Sequence, residues 1–297
     1  MVGLDIRDTS VVAVLVDEGG AVRKRAQAGG DPAVAAVTAV ERVTSAASGS
    51  GPATSLGIAT PATDGPAAVR VLPALLARFH GVGKWGNIIG SGTAAAIAES
   101  WIGAARDVPD VVYFAVAEHA IAGVIREGRP VTGAYGRAPA VAWLSLNPVE
   151  REDYRKAGCV EAEVAAAGIV RRLIWRIKAG DQSRVRDAVN GDLGAITVDH
   201  VLKAARDRDG VSISVIRDTA KYLGMAAANL VAVADPNILV LGGIMASAAD
   251  LLLDPIRAEL ARRLPGPMND ALKVTAATLD SDAAAIGAAR YASTLLP

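Results

Sequence analysis

Few residues of this 297-residue chain combine the type and spacing that chemistry needs. Ser91 stands between two glycines, Gly90 and Gly92, at the head of an alanine-rich stretch. That setting loosely matches a nucleophile elbow, but no His–Asp pair is spaced to serve it. The competing reading is a hydroxyl at a helix start. Glu118 and His119 are neighbours able to exchange a proton in a cleft; the competing reading is a satisfied pair at a strand end. His80 and His200 have no partner at ligand spacing and read as surface residues. Cys159 is the single cysteine. It allows neither an internal disulfide nor a multi-cysteine zinc site, and a reducing cytoplasm is the simplest compartment.

An alternating α/β chain must place these residues. Segments 1–6, 11–16 and 21–26 read as three strands, with turns at Arg7-Asp8 and Asp17-Glu18-Gly19-Gly20. Asp31 and Pro32 suit an N-cap and first helical position, opening a helix to about Ser45, and 46–51 reads as a loop. Strands follow at 55–59 and 87–89, then a Gly-Ser-Gly turn and a helix over 93–104. The polar stretch 106–110 suggests a boundary between lobes 1–108 and 109–282, with the last helix, 283–297, returning to complete the first. The second half restarts the plan. Strands at 111–116 and 123–126 read as a pair, Glu127-Gly128-Arg129-Pro130 follows as a hairpin turn, and helices are expected over 161–178, 197–206 and 214–234. A strand at 237–241 ends in Gly242-Gly243. An amphipathic helix at 248–264 has a charged face of Asp254, Arg257, Glu259, Arg262 and Arg263, and a strand covers 273–279.

Composition sets the limits. Hydrophobic residues make up 52% of the chain, ample for a core, and excluding disorder. Thirty-one basic residues balance thirty-one acidic ones, which argues against a dedicated nucleic-acid binder. Thirty glycines and two phenylalanines predict an interior of small, closely packed residues. No apolar run reaches the roughly 18 residues of a membrane span, and no charged segment precedes an apolar one as in a secretory leader.

Five stretches, in order, make the chain similar to the ROK family of repressors, open reading frames and kinases. They are Asp5-Ile6-Arg7-Asp8-Thr9; Gly128-Arg129-Pro130 followed by Gly133-Ala134-Tyr135-Gly136; Gly158-Cys159-Val160-Glu161; Leu223-Gly224 through Asp235-Pro236-Asn237 to Gly242-Gly243; and the final Ser281-Asp282-Ala283 stretch. The resemblance implies an α/β, two-lobed actin-like ATPase (ribonuclease H-like) fold with a central interdomain cleft. It also implies which positions carry function. Asp5 would hold Mg²⁺ through water or merely cap a turn. Thr9, Gly242 and Gly243 lie on the nucleotide side, although two glycines after a strand also make a tight turn. The family's first phosphate turn has glycines where Arg7 and Asp8 stand, so the nucleotide would be crowded and Asp8 would repel it. Arg7 then either fills the vacated phosphate position or is a surface charge. In the second phosphate motif, read here as Ala117 to Gly123, Gly123 is the one glycine that survives; His119 stands at a glycine position and Glu118 adds another carboxylate. The catalytic Asp position is Ser91, whose neutral hydroxyl cannot take a proton unaided. The sugar-reading Glu is Ala140 and its His is Trp143, an indole that either fills space or stacks on a sugar face; Glu161 is the surviving sugar contact. That His and three cysteines hold zinc in the family, and only Cys159 remains, so no zinc is expected.

Together these losses imply a sugar-kinase-like protein without phosphotransfer, binding a small sugar-like ligand or a partner in a regulatory or sensing role. The alternative is an active ATP- and Mg²⁺-dependent sugar or amino-sugar kinase with atypical residues. The resemblance further implies a homodimer through the second lobe. Family repressors carry a DNA-binding helix-turn-helix ahead of this fold, so DNA binding by this chain itself is not expected.

Overall fold

The computed structural model describes residues 1–45, 55–63, 65–79 and 85–294. Within them lie two five-stranded sheets built on one plan. The first comprises β1 (Val2–Ile6), β2 (Ser10–Val16), β3 (Val22–Gly29), β4 (Leu56–Thr60) and β5 (Trp85–Gly90), ordered β3-β2-β1-β4-β5. The second comprises β6 (Val111–Val116), β7 (Ala120–Arg126), β8 (Arg129–Pro130), β9 (Ile238–Gly243) and β10 (Lys273–Ala276), ordered β10-β9-β6-β7-β8. In each, an antiparallel meander adjoins parallel strands: β1 pairs β2 antiparallel and β4 parallel, as β6 pairs β7 and β9.

The helices are α1 (Pro32–Thr44), α2 (Pro66–Arg78), α3 (Ser91–Ile102), α4 (Glu152–Ala157), α5 (Cys159–Val164), α6 (Ala166–Lys178), α7 (Arg184–Ala188), α8 (Val198–Arg206), α9 (Gly210–Ala234), α10 (Ile244–Ser247), α11 (Ala249–Arg263), α12 (Gly266–Ala271) and α13 (Ala283–Thr294). As the sequence suggests, Asp31 caps α1, accepting from the Ala33 and Val34 N–H groups, and Pro32 opens it. α3 and α13 form a layer between the sheets, α13 against β1 and β4, α3 against β6 and β7. The glycine- and alanine-rich composition serves this seam. A Cβ on Gly287 would stand 1.7 Å from the Ala94 carbonyl oxygen, and one on Gly3 1.8 Å from that of Ala285. Only bare backbone lets these elements approach so closely.

Several elements differ from the sequence reading. α2 was not expected: Pro73 lies inside it and masks the helical period, although Pro66 marks its start. α4 and α7, one or two turns each, are also additional. The turn expected at Gly90-Ser91-Gly92 is instead the first turn of α3, which starts at Ser91 rather than 93. The single helix expected over 161–178 breaks at Ala165, where the Ala166 N–H turns to the Ala117 carbonyl. α9 starts at Gly210 because Asp209 accepts from the Ser212 N–H. β10 stops at Ala276. Glu259, assigned to a solvated face, is buried and held by Arg262 and Arg263. His200 completes a capping box with Thr197. The loop at 46–51 and His80 lie outside the described residues. Among the described residues no helix is long and apolar enough to cross a membrane.

Candidate functional site in the interlobe cleft

β1, β6 and β9 end at one cleft, and the β1–β2 and β6–β7 turns face each other across it. This is the carboxyl-end crevice where open α/β sheets bind ligands. Three cavities with shared walls fill it. One of about 510 Å³ is lined by Asp5, Arg7, Thr9, Glu118, His119 and Gly243 among others. A second of about 230 Å³ runs from Ser91 to Ala140 and Trp143. The outermost, about 590 Å³, is walled by Asp8, Pro66, Arg70, His119, Trp143 and Glu161 among others.

Asp5, at the end of β1, is 6% exposed and both its oxygens are engaged. The Ser91 hydroxyl, 4% exposed at the first position of α3, donates to Oδ1 at 3.0 Å. The Arg7 Nε–H donates to Oδ2 at 2.7 Å. Arg7 also donates from Nη2 to the Ser281 carbonyl, just before α13. Asp5 therefore does more than cap its own turn, and Arg7 is not a loose surface charge: its Nε and Nη2 are both engaged. The carboxylate that accepts from Ser91 is already charge-paired with a guanidinium, which weakens it as a base. Ser91 is a helix-start hydroxyl with a defined acceptor.

His119 bridges the lobes. Its Nε2 lies 2.8 Å from Oδ1 of Asp8 on the β1–β2 turn, and its Nδ1 3.1 Å from Oε1 of Glu161 on α5. The hydrogen bond to Glu161, followed by that to Asp8, raises the imidazole pKa to about 9 against the opposing effect of burial. At neutral pH it is an imidazolium donating from both nitrogens. The other Glu161 oxygen accepts from the Ala120 N–H at 3.1 Å, fixing the carboxylate. His119 is thus paired with Asp8 and Glu161, not with its sequence neighbour Glu118, which is exposed.

The remaining positions divide. Thr9 is exposed on the wall of the innermost cavity. Ala140 is exposed in the middle cavity. Trp143 does not fill space: it is 59% exposed, between the outer two cavities. Gly123 lines none of these cavities; a Cβ there would lie 2.4 Å from the Gly92 carbonyl oxygen, so this glycine lets α3 pack on β7. Gly242 packs over Tyr113, while Gly243, at φ +60° with its Cβ position 2.1 Å from the Val116 oxygen, makes the tight turn into α10.

The fit of a metal–triphosphate can be tested on these contacts. Each Asp5 oxygen already accepts a hydrogen bond, one of them from a guanidinium, so a divalent ion seeking that carboxylate, directly or through water, would have to compete with Arg7 for its charge. Glu118 and Asp280, the other carboxylates on that cavity, would face phosphate, while its cations, Arg7 and His119, are each already paired with carboxylates. The residues present do not fit the group. For zinc, Cys159 is buried and Trp143 holds the imidazole position. Among the described residues no group of three or more His, Cys, Asp or Glu could hold a metal. Side chains anchor the segment before Cys159 instead: Glu163, buried on α5, accepts from Arg151 and Arg172 at 3.0 and 2.9 Å, and from the Tyr154 hydroxyl.

Pairing across the cleft was the missed feature. Asp8 and His119 each replace glycine in opposing turns, with opposite charge, 111 residues apart. That reciprocity was the available signal. Arg70 and Lys156, on the outer cavity, carried no motif at all.

Known proteins share this architecture. The sequence profile of the ROK family matches residues 91–294, and the chain belongs to that family. It is 29% identical over 196 residues to the glucokinase of Halalkalibacterium halodurans, covering 65% of this chain and 59% of that one. It is 30% identical over 162 residues to the N-acetylglucosamine repressor of Escherichia coli O157:H7, covering 54% and 38%. The chain thus spans about three-fifths of the one and under two-fifths of the other. The Streptomyces griseus ROK glucokinase, solved with glucose and AMPPNP, superposes with a TM-score of 0.82 at 23% identity over 99% of both chains. A ROK transcriptional regulator, a homologue of the E. coli MLC protein, gives 0.83 at 20% identity over 97% of this chain and 76% of that one. These likenesses establish the two-lobed actin-like sugar-kinase fold.

Proposed function

We propose that this protein binds an unphosphorylated sugar in the outer cleft and signals occupancy by lobe closure, without transferring phosphate. The observation that carries this reading is the pair of ionic contacts, Asp5–Arg7 and Asp8–His119, that replaces both glycine turns. Phosphoryl transfer works by positioning and charge stabilisation together with a group that orients or deprotonates the nucleophile. Here the base position is a serine hydrogen-bonded to a neutralised carboxylate. The outer cavity retains what a polyol needs. Asp8, with its side chain 56% exposed, has lone pairs open to hydroxyl donors. Glu161 is held by two hydrogen bonds, and the exposed Trp143 indole adds apolar surface to a cavity that Pro66 and Ala67 also line. Closing the lobes on such a ligand moves the first turn relative to α5, the motion a sensor transmits.

Thermal-shift titration with free hexoses, acetamido and amino sugars tests the reading. A ligand at 100 times its Kd stabilises by about 2.7 kcal/mol. We expect one class to do so in nucleotide-free buffer, and Trp143→Ala to weaken it roughly 2–10-fold by loss of stacking. No shift with any sugar would remove the sugar-binding reading.

A further inference from the structure

We infer that Arg7 is the resident cation of this cleft: its guanidinium takes the place at Asp5 that a divalent metal would need, so the site accepts its ligand without metal. The proposal deepens the reading above and rests on it in one respect, that the cleft no longer handles phosphate.

The geometry is that of a filled cation position. Asp5 is a buried carboxylate at the strand end facing the innermost cavity. One oxygen takes the Ser91 hydroxyl and the other the Arg7 Nε–H, at 3.0 and 2.7 Å. A buried charge persists when it is paired and hydrogen-bonded, and Asp5 is both. Arg7 is held from two sides, by Asp5 on β1 and by the Ser281 carbonyl ahead of α13. The β1–β2 turn keeps its shape besides, because the Arg7 N–H donates to the Ser10 carbonyl at 2.9 Å. Magnesium demands near-octahedral oxygen ligands and gives up water reluctantly. It would have to displace an anchored guanidinium to reach the carboxylate. The substitution also changes the charge arithmetic. A guanidinium brings one positive charge where a divalent ion brings two, so Asp5 is neutralised and nothing is left over for an incoming polyanion. Removing Arg7 should therefore expose a carboxylate that seeks a cation.

Mn²⁺ uptake, measured by calorimetry and by the loss of the free-ion paramagnetic resonance signal, tests this without sugar or nucleotide. The unaltered protein should take up no Mn²⁺ that depends on Asp5. Arg7→Gly should bind one equivalent and show a melting temperature that climbs with the logarithm of Mn²⁺ or Mg²⁺ concentration, but not with sodium chloride of matched ionic strength. The Asp5→Asn, Arg7→Gly double variant should lose that response. If Arg7→Gly does not fold, Arg7→Gln, which keeps much of the side-chain volume without the charge, replaces it in every arm. Mn²⁺ bound by the unaltered protein and lost in Asp5→Asn would overturn the proposal. So would a folded Arg7 variant with no metal response. A failed sugar panel removes the sugar reading alone and leaves these outcomes standing.

Discussion

His119 sets how the cleft answers to pH. Its pKa in the fold, about 9, lies above the ordinary value of 6.5. The stability it adds is therefore complete below about pH 6.5 and is withdrawn as the pH climbs through about 9. Melting temperatures across that window should fall for the unaltered protein and fall less for His119→Gln, which forms no imidazolium. Equal slopes would mean that the bridge to Asp8 and Glu161 contributes nothing. Residue-level chemistry was legible in part. The loss of a base at Ser91 and of glycine at Arg7 and Asp8 could be read from the motif positions. That Asp8 pairs with His119 across the cleft was signalled by their opposite charges alone, since a strand and its turn do not reveal what faces them.

Elements carry the site by how closely they approach. α3 delivers Ser91 to Asp5 because Gly92 and Gly123 bring its first turn onto β7, so a residue that looks like a phosphate glycine is a packing glycine. The far end of α3 is tied down by Glu99. Fully buried, it accepts from the Ala104, Thr278 and Leu279 N–H groups and from the Thr278 hydroxyl, linking the helix to the segment after β10. Glu99→Ala would strand those donors and should cost about 3 kcal/mol or more, read as a lower denaturation midpoint in urea. A loss below about 1 kcal/mol, no more than one ordinary hydrogen bond, would show that the tie is weak. Both sheets, the capped α1 and the long α9 were visible as patterns in the sequence. α2 was hidden by an internal proline, and the break at Ala165 by a continuous helical period, because the contact with Ala117 that ends α5 is tertiary.

At the scale of the molecule, the chain keeps the two lobes, the intervening helices and the cleft of a phosphotransfer fold. His119 holds the two turns together through Asp8, and Arg7 ties the first of them to Asp5 and to the segment before α13. The most direct measurement is a coupled ADP-release assay of the unaltered protein with ATP and Mg²⁺ over free hexoses and amino sugars. No sugar-dependent ADP release above background is expected with any of them. Turnover at or above about 1 s⁻¹, the low end for kinases, would contradict it.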